Sequence, residues 1–325
     1  MTLLQVCNVG RIVGGTAACA WSITRAFLDV TQHVAFLSSI TDDTRAAFAG
    51  ATLHQCGRIS DALVRELGAD AVILHNTAPE RCDVIRSVWT LQYVHSRGRR
   101  AAADRTVYCS RWLAEQCHAS PECVLYQPVP RPVAIDGRGR SGLLTVGRIC
   151  TPTVAKWPTE LVDIYADLAG CHPDVAWEFV GCPAALLKPL SNACRGRALF
   201  HAAGWQARSY LARWDVLLYH NPRLAESFGR TVAEAMRAGC VPVVDAAGGF
   251  VEQVLPGTGY LCRNRADFIA ALGELKYPGL RASVSAAAVR SADERFSMAA
   301  FRKRLIALWE MGILGRVSAP FVSGQ

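Results

Sequence analysis

Asn221-Pro-Arg-Leu-Ala-Glu226-Ser-Phe-Gly-Arg-Thr-Val-Ala-Glu234-Ala-Met-Arg-Ala-Gly239-Cys-Val-Pro-Val-Val244 is the stretch whose reading decides the fold. Just before it, Asp215-Val-Leu-Leu-Tyr-His220 is a short apolar run of the kind a fully buried strand shows, and Pro222 closes it. A helix is expected from Gly229 to Gly239, the glycine just past a helix end. Residues 240–244 then form the next buried strand. Strand, loop, helix and strand make a parallel βαβ unit. Its loop carries Glu226 and its helix carries Glu234. On one continuous helix, eight residues turn about 800°, leaving two carboxylates about 80° apart. With Glu226 in the loop, both can face the space above the helix N-terminus. Free backbone N–H groups from Phe228, Gly229, Arg230 and Thr231 point into that space, where the helix dipole favours an anion such as a phosphate.

The same alternation continues in both directions. Strands are expected at 3–7, 34–38, 71–76, 88–95 and 107–109, with helices at 17–28 and 59–68 and another starting at Ser110. In the second half, strands are expected at 143–148, 177–181, 199–201 and 259–262. Helices are expected at 159–168, 205–213, 250–254 and 265–275, and a long amphipathic one from Glu294 through Trp309. In parallel sheets, ligands bind beyond the carboxyl ends of the strands, which draws attention to Asn76 and His95. A Gly14-Gly15 turn after the first strand lets backbone come close to an anion. It is neither the dinucleotide fingerprint nor a P-loop. Three prolines and three glycines fall within 128–142, the clearest punctuation in the chain and the expected domain boundary. The expected division is 1–137, 138–290 and a final helical segment, 291–325.

The 325 residues suffice for two ordinary domains, and 51% hydrophobic with 19% charged content excludes a disordered chain. No apolar run approaches the ~18 residues of a spanning helix. The first residues have no basic segment ahead of the apolar ones and read as a strand, not a signal peptide. Thirteen scattered cysteines without a C-x2-C pair suit reduced thiols in a cytoplasmic chain better than a disulfide framework or a zinc site. The net charge of +8 lies mostly on arginines that form no long run, and no nucleic-acid motif accompanies it.

Glu226 to Val244 resembles the Glu-x7-Glu signature of retaining GT-B glycosyltransferases of family 4, the group 1 glycosyltransferases. The resemblance covers nearly the whole chain and is specific in the second half. It implies an α/β GT-B fold: two Rossmann-like domains facing across a cleft, residues 1–137 on the acceptor side and 138–290 binding a nucleotide sugar. The final helix would cross back to the first domain. The implied reaction moves a sugar from a nucleotide diphosphate sugar, a co-substrate and not a cofactor, to a hydroxyl acceptor with retention.

The resemblance also assigns residues. Glu226 would hold hydroxyls of the transferred sugar, and Glu234 the ribose hydroxyls. Phe228, Gly229, Arg230 and Thr231 would cradle the diphosphate. Gly147-Arg148 at a strand end, with Lys156 following, is similar to the family's phosphate-binding pair. The spacing here is longer, and Trp157 stands where glycine is usual. Lys156 is one of only four lysines in the chain. Arg148 and Lys156 would neutralise the leaving group. Gly14 and Gly15 would lie opposite the donor diphosphate. His95 would sit at the reacting sugar, where an imidazole can exchange a proton with an acceptor hydroxyl. Arg97, Arg99, Arg100 and Arg105, on the acceptor side, suit an anionic or lipid-linked acceptor, or peripheral contact with an anionic membrane at its cytoplasmic face. No Asp-x-Asp pair stands out, so no metal is expected, and no nucleic-acid partner. Two other readings stay open at this level. One is a non-catalytic GT-B subunit that binds nucleotide sugar and scaffolds or regulates a partner enzyme. The other is a different GT-B chemistry, a phosphorylase or an epimerase.

Overall fold

The computed structural model describes residues 1–133 and 143–318, with side chains to residue 312. The expected boundary at 137–138 and the last residues of the 291–325 segment lie outside the described residues. The chain divides into two compact units, Met1–Pro128 with Met298–Gln325, and Val129–Ser297.

The first unit runs β1 (Thr2–Cys7), α1 (Gly15–Ala26), β2 (Thr31–Phe36), α2 (Asp42–Ala47), β3 (Thr52–Gln55), α3 (Asp61–Glu66), β4 (Ala71–His75), β5 (Trp89–Val94), β6 (Arg105–Tyr108) and α4 (Arg111–Gln116). Its strands form one parallel sheet in the order β3-β2-β1-β4-β5-β6. Strands β4 and β5 are buried along their whole length, which is why they read as nearly unbroken apolar runs. Edge strand β3, Thr-Leu-His-Gln, has no fully buried residue and gives no such signal.

The second unit runs β7 (Leu144–Ile149), α5 (Leu161–Cys171), β8 (Val175–Val180), α6 (Ala184–Ala193), β9 (Ala198–His201), β10 (Val216–Tyr219), α7 (Arg230–Arg237), β11 (Val241–Asp245), α8 (Phe250–Gln253), β12 (Tyr260–Cys262), α9 (Arg265–Leu275) and α10 (Pro278–Phe296). Its parallel sheet has the order β12-β11-β10-β7-β8-β9. Read in chain order, both sheets are doubly wound in the Rossmann pattern. The direction of winding reverses between β1 and β4 in one and between β7 and β10 in the other. The second core is aromatic at its centre: Tyr165 meets Trp177 edge-on at 5.4 Å and Phe179 at 4.9 Å.

Two expected helices differ from the structure. Residues Trp205–Ala212 form a 3-10 segment, not an α-helix. The single long helix expected from Glu294 is two helices: α10 ends at Phe296, Ser297 is extended (φ −65°, ψ 157°), and α11 (Met298–Ser318) begins after it. Helix α11 belongs to the first unit, where Arg302 Nη2 donates to Asp29 at 2.7 Å and the guanidinium lies over the Phe27 ring. Among the described residues, no helix is long and apolar enough to cross a membrane. All thirteen cysteines are free thiols.

Candidate active site

In the second unit the reversal point brings the end of β7 beside the end of β10. Arg148 closes on this junction from inside. Its side chain is fully buried, Nη1 donating to the His220 carbonyl at 3.0 Å and Nη2 to the Lys156 carbonyl at 2.7 Å. The guanidinium is sandwiched between the Trp157 ring (5.0 Å) and the Tyr219 ring (4.8 Å). Trp157, in the place of the family's usual glycine, is thus one wall of the arginine's slot. The residue expected to reach a phosphate instead fixes two loops from beneath.

Lys156 is partly exposed, and its ammonium pairs with Glu226 Oε1. The Tyr219 hydroxyl donates to the same oxygen. Lys156 and Glu226 are seventy positions apart in sequence; the sheet puts them in contact. The Glu226 backbone is pinned as well, its carbonyl accepting from Gly249 N at 2.8 Å. Asp245, at the end of β11, orders the preceding loop: its carboxylate accepts from Asn221 N and contacts His220 Nδ1, both at 2.6 Å.

Helix α7 opens at Gly229, whose left-handed backbone (φ 78°, ψ 55°) turns the chain into the helix without any side-chain cap. A side chain there would strike Phe250: a Cβ would lie 2.1 Å from its ring. Gly229 itself offers no side-chain cap to the first amides of α7, and Thr231 is half-buried beside them. The Phe228 ring is buried edge-on against Phe296, so its side chain turns into the core. Glu234 is almost completely buried and held by two arginines. Arg208 Nε donates to both oxygens (3.0 and 3.1 Å), and Arg230 Nε donates to Oε1 at 2.8 Å. Arg230 is buried with it, one turn away.

In the first unit, Gly14 (φ 87°) caps α1, and a side chain at Gly14 or Gly15 would meet nothing within 4 Å. His95 lies inside a buried relay. Gln127 Nε2 donates to its Nδ1 at 2.9 Å, its Nε2 lies 3.0 Å from His75 Nδ1, and His75 Nε2 lies 3.0 Å from Gln5 Oε1. Both ring nitrogens of His95 are therefore engaged within the unit. Burial pushes the His75 imidazole down to about 3. Cys19, His75 and His95 bring one ligand-type atom each within 4.8 Å of one another, a proximity their spacing in sequence does not reveal. Asn76, in a left-handed conformation, accepts from His95 N at 2.7 Å and Arg100 at 3.1 Å. Arg100 is thus turned inward, leaving Arg97, Arg99 and Arg105 as the exposed members of that cluster.

Sequence reasoning missed Tyr219 and Arg208. Tyr219 ends an apolar strand and reads as core. Arg208 carries no signal, because its partner is 26 residues away in a different element.

The chain resembles known proteins in its fold and, over part of its length, in sequence. Residues 140–276 match the family described as glycosyl transferases group 1. Anabaena Alr3699/HepE, solved in complex with UDP, superposes with a TM-score of 0.76 at 16% identity, over 96% of this chain and 100% of that one. The same protein has also been solved with UDP-glucose. A glycosyltransferase from Rickettsia africae ESF-5 gives 0.77 at 13% identity, over 96% and 98%. TarM gives 0.73 at 8% identity, over 95% and 98%. No curated protein matches the chain. Likeness at these identities establishes the fold, two Rossmann-like domains as in GT-B structures. Most of the second unit therefore resembles the group 1 glycosyltransferases, and the chain as a whole has the GT-B fold of these neighbours.

Proposed function

We propose that the second unit binds a UDP-sugar at the β7–β10 junction and that the sugar passes, with retention and without a metal, to a hydroxyl acceptor. The observation that carries this reading is the Lys156–Glu226 pair at a strand-end reversal point, close in the chain to the uncapped start of α7. A structural relative solved with UDP and with UDP-glucose supports the uridine donor.

In this reading the diphosphate lies over the first amides of α7, among Phe228, Gly229, Arg230 and Thr231, and takes Lys156 as its counter-charge. The bond from the anomeric carbon to the phosphate oxygen breaks with its electron pair going to the phosphate. The acceptor oxygen bonds to the same face, and its proton passes to the departing phosphate. Arg148 holds the Lys156 and His220 backbones and adds positive charge beneath the site. Glu226 holds the transferred sugar. Glu234, fixed by Arg208 and Arg230, is assigned the ribose hydroxyls. We assign the acceptor to the first unit, with its Gly14-Gly15 turn and His95. The exposed Arg97, Arg99 and Arg105 favour an anionic or lipid-linked acceptor and a cytoplasmic protein peripheral to an anionic membrane face.

Calorimetric titration of UDP, GDP and ADP tests the reading. UDP should bind, and Lys156→Ala should weaken it at least tenfold, the scale of one charged hydrogen bond. Glu226→Gln should spare UDP binding and reduce donor turnover. If none of the three nucleotides binds at millimolar concentration, the donor site is misplaced.

A further inference from the structure

We infer that Tyr219 is a positioning residue for Glu226, holding its carboxylate when the donor claims Lys156. The inference rests on the reading of Glu226 as the group that holds the transferred sugar. In the donor-free chain, Glu226 Oε1 accepts from two donors, the Lys156 ammonium and the Tyr219 hydroxyl. Among the described residues, no bond reaches Oε2. Both fixed contacts converge on one oxygen, so the other is presented to the sugar.

The two donors are unlike. Lys156 sits on a flexible, partly exposed stem and carries the charge a diphosphate seeks. Once the phosphate takes it, Glu226 loses one restraint at the moment its orientation matters. Tyr219 has no such freedom. Its ring is buried, lies 4.8 Å beneath the Arg148 guanidinium and meets the Phe250 ring edge-on at 5.1 Å. These contacts hold the hydroxyl in place whether or not Lys156 is present. Burial also pushes the Tyr219 hydroxyl well above its ordinary range, so it remains a proton donor across the working pH range. An apolar residue at this strand end would fill the same space and leave Glu226 tethered only to a lysine that departs.

The test is a double-mutant cycle of Tyr219→Phe and Glu226→Gln, read as UDP released from UDP-glucose and as calorimetric affinity for UDP. Tyr219→Phe keeps the ring under Arg148 and removes only the hydroxyl. Alone, it should lower kcat about tenfold while the Kd for UDP stays within about twofold. In the Glu226→Gln background it should change kcat less than about twofold, because the group it positions is gone. A purely structural tyrosine would lower kcat equally in both backgrounds, and that result overturns the inference. Unchanged kcat in Tyr219→Phe overturns it too. Full turnover in Glu226→Gln alone would instead overturn the reading of Glu226, and this inference with it.

Discussion

Arg208 Nε stands 3.0 and 3.1 Å from the two carboxylate oxygens of Glu234, a fork that closes over one of the most buried acidic groups in the second unit. Arg230 lies buried beneath the same carboxylate. The second glutamate of the Glu-x7-Glu pair is therefore part of the fold as well as of the candidate site. Removing one partner of a buried ion pair leaves an uncompensated charge, at a cost of about 3–5 kcal/mol. Glu234→Gln should accordingly lower the unfolding free energy by about 3 kcal/mol in urea denaturation. Glu226→Gln, whose lysine partner is partly exposed, should lower it by less than about 1 kcal/mol. Equal losses would mean that the Arg208–Glu234–Arg230 cluster contributes no more than a surface pair.

His75 gives a pH prediction of definite sign. It is wholly buried against His95, Gln5, Tyr93 and Cys19, and burial depresses its pKa from 6.5 to about 3. The unfolded chain binds the proton at the higher pKa, so folding stability is complete above about 6.5 and declines as pH falls towards the folded value. At pH 5 the loss relative to pH 8 should be about 2 kcal/mol from this group. His75→Gln should flatten the acid limb of a thermal-stability profile between pH 7 and pH 5, whatever its effect on the plateau. An unchanged slope would show that His75 is not the titrating group.

How much of this is legible in sequence follows from what each feature depends on. Strand β10, helix α7 and strand β11 announce themselves through local chemistry: an unbroken apolar run, Gly229 at the start of the helix and Gly239 with a positive φ just past its end. Helix α6 escapes a sequence reading because Pro189 sits inside it. Helix α10 escapes because its buried line, Val284, Ala288, Ala292 and Phe296, is mostly small residues at four-residue spacing and carries little apolar contrast. In the site, residue types are readable and partners are not. Arg148 is readable as a cation at a strand end. That it turns inward depends on Trp157 and Tyr219, which come from two other segments. The histidine relay likewise joins four strands and loops that only the sheet brings together.

The two cations of the site should respond differently to truncation. Arg148→Ala removes the donors to two backbone carbonyls and leaves an aromatic slot empty, so turnover should fall together with stability, the latter by about 3 kcal/mol. Lys156→Ala removes a partly exposed charge and should leave stability within about 1 kcal/mol of the parent. Its donor turnover should fall by roughly 10²–10³, the scale of losing a preorganised electrostatic donor. UDP release from UDP-glucose and urea denaturation on the same samples separate the cases. Near-parental turnover in Lys156→Ala would remove the lysine from the donor site.

Donor turnover should survive a chelator, since Lys156 and the amides of α7 supply the positive charge proposed for the diphosphate. The measurement is UDP release before and after incubation with EDTA. Loss restored by magnesium or manganese would require a metal at the phosphates.

Gly229 offers the sharpest geometric prediction, because two separate effects fall on one residue. Its φ of +78° is disfavoured for any side chain, and an added Cβ would lie 2.1 Å from the Phe250 ring. Gly68, at the end of α3, shares the positive φ (+60°), but a Cβ added there would meet nothing within 4 Å. Gly68→Ala should therefore show the backbone effect alone, about 1–2 kcal/mol in urea denaturation. Gly229→Ala should show that effect plus the displacement of a buried ring, bringing the loss to about 3 kcal/mol or more. The ring cannot move alone, since its edge packs on Tyr219, which holds Glu226. Gly229→Ala should thus weaken UDP binding, by re-aiming the first amides of α7, and lower turnover beyond that, by shifting Glu226. Gly68→Ala should change neither. Equal stability losses in the two variants would show that Phe250 yields without strain. Unchanged UDP affinity in Gly229→Ala would separate the start of α7 from the phosphate site.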